Sequence, residues 1–451
     1  MKKFTFVASA FMLIAGASFA QGNNAKVTQN DLRQAATVTQ TGASNEADVT
    51  QADRDNISVV TQTGTSHGAI VNQNGRENQS SVVQTGLSND ANVKQKGREN
   101  ESTVTQANAW NDAVVDQDGR ENESVITQTN GSYNNFAKAT QKGNYNEATQ
   151  TQQGGSMGPS VSNEAEINQK GNYNEATQSQ SNASGFNSAY IEQSKGNWLL
   201  GNTASQTQDV GSGFNEAEIY QDGYSNSATQ LQTNVSGFNT AYIEQSGSAN
   251  IAIQTQSGVS AGNSASIDQE GTGFLGLGAN VATQTQSLIS GNNTADIYQR
   301  GTTNVATQVQ SLVSGFNSAE IEQRGTTNIA TQLQSGLSGL NEASIYQEGD
   351  RNSATQTQTE LSGLNTASIR QEGNRNEGVQ TQSLGADMEA SLLQDGNFNQ
   401  STQTQTGIGH SSSVTQIGNS NTSTTSQSGG YSTATVNQNG NSNVATVTQS
   451  N

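Results

Sequence analysis

From Gln29 to Gln128 a glutamine stands at every eleventh residue, and its side-chain amide is the group most able to do chemistry in this chain. An amide both donates and accepts hydrogen bonds, so amides at a fixed interval favour continuous ladders over a reaction centre. With small insertions the series runs on to Gln427, Gln438 and Gln449, giving 36 such glutamines. Around each lies one repeated phrase, Asn-x-Ala-x-(Val/Ile)-x-Gln, followed by x-Gly-x-x. Groups suited to catalysis are sparse. His67 and His410 each fall on a turn or the start of an arm, far apart in the series, and are expected to be solvated. Asp116-Gln117-Asp118-Gly119 is too short for a calcium loop, and Gly211-Ser212-Gly213 reads as a turn. No catalytic, cofactor-binding or metal-binding residue is expected.

The elements that position these amides follow from two periods. Within an arm, alternate residues point to opposite faces, as in a strand. In Asn45-Glu46-Ala47-Asp48-Val49-Thr50-Gln51 the inward set is Asn45, Ala47, Val49 and Gln51. The following x-Gly-x-x, as in Asn74-Gly75-Arg76-Glu77, supplies a tight turn. Each unit can bury its inner side only against its neighbours, so the pattern predicts an all-β, two-arm β-solenoid of strand-turn-strand coils. Two arms per coil give about 18 coils, and the spacing of neighbouring strands makes such a stack about 85 Å long.

Coil length divides the chain. Residues 21–128 repeat every 22 residues, 129–382 mostly every 24, and 383–451 return to 22, within one continuous solenoid. The long turn Ser311-Leu312-Val313-Ser314-Gly315-Phe316 typifies the middle section. Longer turns at 153–162, 194–201 and 270–279 are insertions on the rim, and the single proline, Pro159, lies in the first of them. In the middle section one arm carries isoleucine, as in Asn317-x-Ala319-x-Ile321-x-Gln323. The other carries glutamine instead, as in Asn328-x-Ala330-x-Gln332-x-Gln334. Buried amides are costly unless paired. Stacked one coil apart, they pair with each other.

Composition sets limits. Hydrophobic residues make up 30% and charged residues 13%, too few apolar groups for a large core, while the strict spacing argues against disorder. Met1-Lys2-Lys3, the apolar run Phe4 to Ala17 and Ser18-Phe19-Ala20 read as a secretory signal peptide over residues 1–20. Removing Lys2 and Lys3 with it takes the formal charge from −19 to −21, which argues against nucleic acid as a partner. No other run is long enough for membrane insertion. With no cysteine, stability must come from stacked hydrogen bonds.

The outward residues differ between the two arms. In the nine arms ending at Gln169 through Gln371, outward positions hold eleven acids and one base, with tyrosines such as Tyr220 and Tyr298. In the nine partner arms only Glu175 and Glu377 are charged, and residues such as Thr307, Val309, Thr331 and Leu333 face outward. That neutral face is expected to pair rods laterally or simply to be a solvated surface of good strand formers. A ridge of Phe186, Phe214, Phe238, Phe316, Leu340 and Leu364 precedes the asparagines of the isoleucine arms and is expected to close the long turn over the core, the alternative being an exposed adhesive stripe. The stacked Gly75-Arg76-Glu77, Gly97-Arg98-Glu99 and Gly119-Arg120-Glu121 turns read as a charged, solvated rim. Gln449 completes a regular arm without a polar cap, so the terminal edges are expected to template another copy, the alternative being a terminal coil that frays.

The string Gln-x-Gly-x-x-Asn-x-Ala-x-x-x-Gln occurs at Gln299 to Gln310 and at Gln323 to Gln334. A serine form occurs at Gln73 to Gln84, and fifteen matches lie between Gln40 and Gln449. In this the chain resembles the curlin-repeat family of curli-type functional amyloid subunits. The resemblance implies secretion across an outer membrane and assembly with itself into extracellular fibres for biofilm matrix and cell adhesion. A nucleator and an outer-membrane secretion pore would be its partners. It also implies that the ladder amides Asn45, Gln51, Asn78, Gln84, Asn304, Gln310, Asn328, Gln334, Asn443 and Gln449 carry polymerisation. Two departures stand out. Asn, as at Asn293, occupies the place of the family's usual serine, and the first arm begins at Asn23, where curlin subunits carry a targeting segment. The alternative from another class is a monomeric solenoid, a surface adhesin or an ice-binding rod using pairs such as Thr283 and Thr285.

Overall fold

Thr, Val and Ile alternate with small or amide residues through the arms, and such residues fit a pleated, half-buried surface. The computed structural model describes residues 22–450 apart from 155–158, 183, 197–199, 210, 212, 234–236, 260, 273–277, 288–289, 313, 338 and 360–362. The expected signal peptide over 1–20, Val313 of the long turn and parts of the three insertions lie outside the described residues. Among the described residues every regular element is a strand, and no helix is long and apolar enough to cross a membrane. The chain divides into two compact units, residues 1–184 and 185–451.

Each unit is a two-sheet β-solenoid. In the first, Glu46–Arg54 pairs in parallel with Gly68–Arg76, so that Val49 lies beside Val71 and Gln51 beside Gln73. The intervening strand Ile57–Thr65 belongs to the opposite sheet and pairs with Gln79–Leu87, placing Gln62 beside Gln84. The second unit repeats the plan, with Ser318–Thr326 on Glu342–Asp350 in one sheet and Ile329–Gly336 on Ser353–Thr359 in the other. Each residue therefore meets its equivalent one coil away. This register keeps like side chains in rows.

The core is one side chain thick. Ala47, Val49, Asn45 and Gln51 are all buried, as the strand period requires. In the second unit an isoleucine column, Ile191, Ile219, Ile243 and on to Ile369, faces the glutamines and alanines of the other sheet. Full burial of each isoleucine contributes roughly 1.5–3 kcal/mol. Register steps vary without breaking the rows: Gln51 to Gln73 spans 22 residues, Gln323 to Gln347 spans 24, and Gln269 to Gln299 spans 30. The paired strands keep the same register whatever the step.

A short turn such as that at Gly75 needs glycine because the coils approach closely there, although Asp53 takes the equivalent place one coil earlier with φ 74°. Gly75 has φ 124°, and a Cβ on it would come within 1.9 Å of the Gly97 carbonyl oxygen. A second left-handed residue follows two positions later, as at Glu77 with φ 57°. The long turns place Phe186, Phe214, Phe238, Phe316, Leu340 and Leu364 in the same conformation.

That conformation corrects one expectation. The ridge does not close the turn over the core. Its side chains project outward, and Phe238 is 68% exposed. The inward place is taken by the next residue, Asn187, Asn215 or Asn239, each of them buried. Phe186, Phe214 and Phe238 lie face to face along the stack, with ring centroids 5.0 and 5.1 Å apart.

Candidate functional site: the amide ladders

The glutamine side chains close both the stack and the gap between sheets. In the first unit Gln51 Nε2 donates to Gln73 Oε1 at 2.7 Å, and Gln73 donates to Gln95 at 2.8 Å. The second hydrogen on Gln51 Nε2 goes across the core to the Ala35 carbonyl at 3.0 Å. Gln62 and Gln84 do the same in the other sheet, with a 2.9 Å rung between them. In the second unit Gln310 donates to Gln334 and Gln334 to Gln358, both at 2.9 Å. Gln427 donates to Gln449 at 2.8 Å. Both N–H groups and the oxygen of a typical rung are thus engaged, which removes the cost of burying an amide.

A further glutamine row runs beside the outer one. Gln308 donates to Gln332 and Gln332 to Gln356, both at 2.9 Å, while Gln332 also reaches the Glu320 carbonyl at 2.7 Å. This row fills the place that Val60 and Val82 occupy in the first unit.

The asparagines form a ladder of opposite sense. Asn56 Oδ1 accepts the backbone N–H of Asn78, the equivalent residue of the next coil, at 3.1 Å. Asn78 Nδ2 in turn caps the Gly97 carbonyl at 3.2 Å. Asn328 N–H reaches Asn304 Oδ1 at 3.1 Å, and Asn443 N–H reaches Asn421 Oδ1 at 3.0 Å. Asn45 accepts from the His67 N–H at 3.1 Å. Glutamine amides therefore donate toward later coils, whereas asparagine oxygens accept from them. The sequence-predicted ladder residues all stand in these rows. They form lines through each unit rather than one cluster.

The histidines require a second correction. Both are buried, each 1% exposed, because each replaces an asparagine rung. His67 Nδ1 accepts the Asn89 N–H, and its Nε2 lies 3.3 Å from the Thr63 carbonyl. His410 Nδ1 accepts from the Ser432 N–H at 3.3 Å, and Nε2 lies 3.1 Å from the Thr406 carbonyl. These contacts suit the neutral ring with the proton on Nε2, which supplies one donor and one acceptor as asparagine does. Burial holds the His67 pKa below 6.5. The signal was present in the sequence, since His67 stands at the asparagine position of its arm.

The partners of other polar groups are visible only in the structure. Ser58, Ser80, Ser102 and Ser124 stack at the alanine position of one sheet, buried, and their hydroxyls have no hydrogen-bond partner. Near the second unit's end Asn374, Asn397, Asn419 and Asn441 form an outer ladder on the turns, with 3.0 Å from Asn397 N to Asn419 Oδ1. Asp116 and Asp118 pair with Lys94 and Lys96 of the preceding coil at 3.3 and 3.1 Å. Arg76 pairs with Glu77 at 3.0 Å on the exposed rim, an interaction worth little in water. Acids crowd the isoleucine sheet: Asp268 lies beside Glu244 in register, and burial followed by repulsion from Glu244 and Glu270 pushes its pKa up to about 6.

These rows and their Gln-x-Gly-x-x-Asn spacing can be compared with known proteins. The model of the curlin associated repeat family matches residues 64–97 and 97–129. The chain carries curlin associated repeats. The matched stretch contains Gln73, Gly75, Asn78 and Gln84, which hold the rungs and the tight turn described above, together with the buried Ser80. Curlin associated repeats thus lie in the first unit, and the same kind of two-sheet β-solenoid coil recurs in the second. Among curated proteins nothing matches the chain.

Proposed function

We propose that the chain is a secreted structural subunit whose copies add end to end into an extracellular, amyloid-like fibre serving biofilm matrix and cell adhesion. Export would follow removal of residues 1–20, and the sections 21–128, 129–382 and 383–451 would act together as one subunit. A nucleating partner and an outer-membrane pore fit this reading.

The observation that carries it is the polarity of the ladders. Gln29 donates to Gln51, and Gln438 accepts from Gln416, at 2.7 and 2.8 Å. Gln29 Oε1 in the first unit and Gln438 Nε2 in the second are thus complementary as acceptor and donor, and a second copy added head to tail would pair them. Val27 beside Gln29 is 42% exposed, whereas Val49 one coil inward is fully buried. Addition of a copy would cover such apolar surface and pair the free strand edge, the two contributions that make stacked strands persistent. In this role Asn45, Gln51, Asn78, Gln84, Asn304, Gln310, Asn328, Gln334, Asn443 and Gln449 propagate the ladders from copy to copy.

The test is seeded growth. Chain diluted from denaturant should assemble after a lag that preformed fibres abolish. Material that stays monomeric at high concentration, seeded or not, would overturn the reading.

A further inference from the structure

The two sheets of the second unit present opposite surfaces to solvent. On the isoleucine sheet, Glu244 lies beside Asp268 and Asp296 beside Glu320, so that acids stack on acids. On the other sheet, six successive strands from Ser227–Thr233 to Ser353–Thr359 carry no charged residue. Their outward rows run Thr307, Thr331, Thr355 and Val309, Leu333, Thr357. Ile253 and Ile329 stand in the same surface, 41% and 47% exposed.

We infer that this neutral face is a lateral contact between two copies of the chain, each presenting the same rows to the other. The inference rests on the fibre reading and adds a second, sideways interface to the end-to-end one. Three arguments select another copy as the occupant. Parallel in-register strands repeat at about 4.8 Å, and only a surface of equal pitch can interdigitate with such rows along their whole length. Self-mating brings no like charges together here, whereas the acidic face repels its own copy. The six strands span roughly 650 Å², close to the roughly 800 Å² per partner of a stable interface. Repetition along a fibre then multiplies the contact without any new one.

The test compares fibres of the full chain with those of Thr307→Lys/Val309→Lys/Thr331→Lys/Leu333→Lys. A control places the same charge on the acidic face: Ser266→Lys/Ser318→Lys/Ser344→Lys/Thr366→Lys. Mass per length should halve, or fall further, in the first variant and hold in the control. A second measurement avoids dependence on a heavily altered chain. The protein has no cysteine, so Thr331→Cys and Ser344→Cys each add a unique thiol. A short bismaleimide should link Thr331→Cys chains into dimers within fibres and leave Ser344→Cys chains unlinked. End-to-end addition cannot produce this result, because it separates equivalent residues by a whole subunit. Wild-type filaments with the mass per length of one chain, or equal linking at both sites, would overturn the lateral contact while leaving the fibre intact. A wild type that never assembles would overturn both.

Discussion

His67 Nδ1 accepts the backbone N–H of Asn89 at 3.2 Å, the place where an asparagine oxygen accepts in neighbouring coils. Protonation would turn that acceptor into a donor facing another donor. Burial already disfavours the charged ring, and nearby Asp90 opposes it only in part. The folded pKa therefore lies below the unfolded value of about 6.5, and the unfolded chain binds the proton more readily. Stability from this rung is complete above about pH 6.5 and is lost as pH falls through the folded value. His67→Asn should restore an oxygen acceptor and abolish this part of the loss. Denaturant midpoints at pH 7.5 and 5 should show the wild type losing on the order of 1 kcal/mol more than His67→Asn. Equal losses would sink the assignment.

Asp268 carries the opposite sign. Its pKa is pushed up to about 6, so the folded state holds the proton more tightly than the unfolded state does. Its contribution is full below the unfolded carboxylate value and is lost as pH rises through about 6. Asp268→Asn should stabilise the protein at pH 7.5 by on the order of 1 kcal/mol, after allowing for solvent screening, and by little at pH 4. Thermal midpoints at both pH values check this.

Gln332 sits in the middle of three amide contacts, to Gln308, Gln356 and the Glu320 carbonyl. Gln332→Leu keeps much of the volume but leaves those partners without their bonds. The expected loss is about 2–4 kcal/mol, from unmet buried donors and acceptors. Urea midpoints measure it, and a change under 1 kcal/mol would mean that the row relaxes around the gap.

Ser102 predicts a gain. Its hydroxyl is buried and unpartnered, and alanine occupies the equivalent position in coils such as that of Ala306. Ser102→Ala should stabilise the chain by about 1 kcal/mol, since it removes a desolvated polar group at nearly constant shape. A destabilised variant would show that the hydroxyl has a role in the core.

The strand period and the eleven-residue beat made the inward placement of Asn45, Ala47, Val49 and Gln51 legible, because alternation permits only one burial pattern. The facing glutamine row through Gln332 was legible for the same reason. His67 was misread because its residue type was weighed above its position, although imidazole matches the asparagine pattern of one acceptor and one donor. The outward turn of Phe238 follows from a left-handed backbone that phenylalanine seldom adopts, so residue preference pointed the wrong way. The sense of each ladder depends on which end of each amide faces the next coil. Residue identity does not contain that choice.

The opposed senses of the glutamine and asparagine rows have an electrostatic consequence. A helix sums its peptide dipoles in one direction and gathers partial charge at its tips. Here the glutamine amides hand N–H groups forward along the coils, whereas the asparagine oxygens face forward to receive a backbone N–H, so the two kinds of row oppose one another instead of adding. Each coil added to such an array therefore leaves both a donor and an acceptor facing onward.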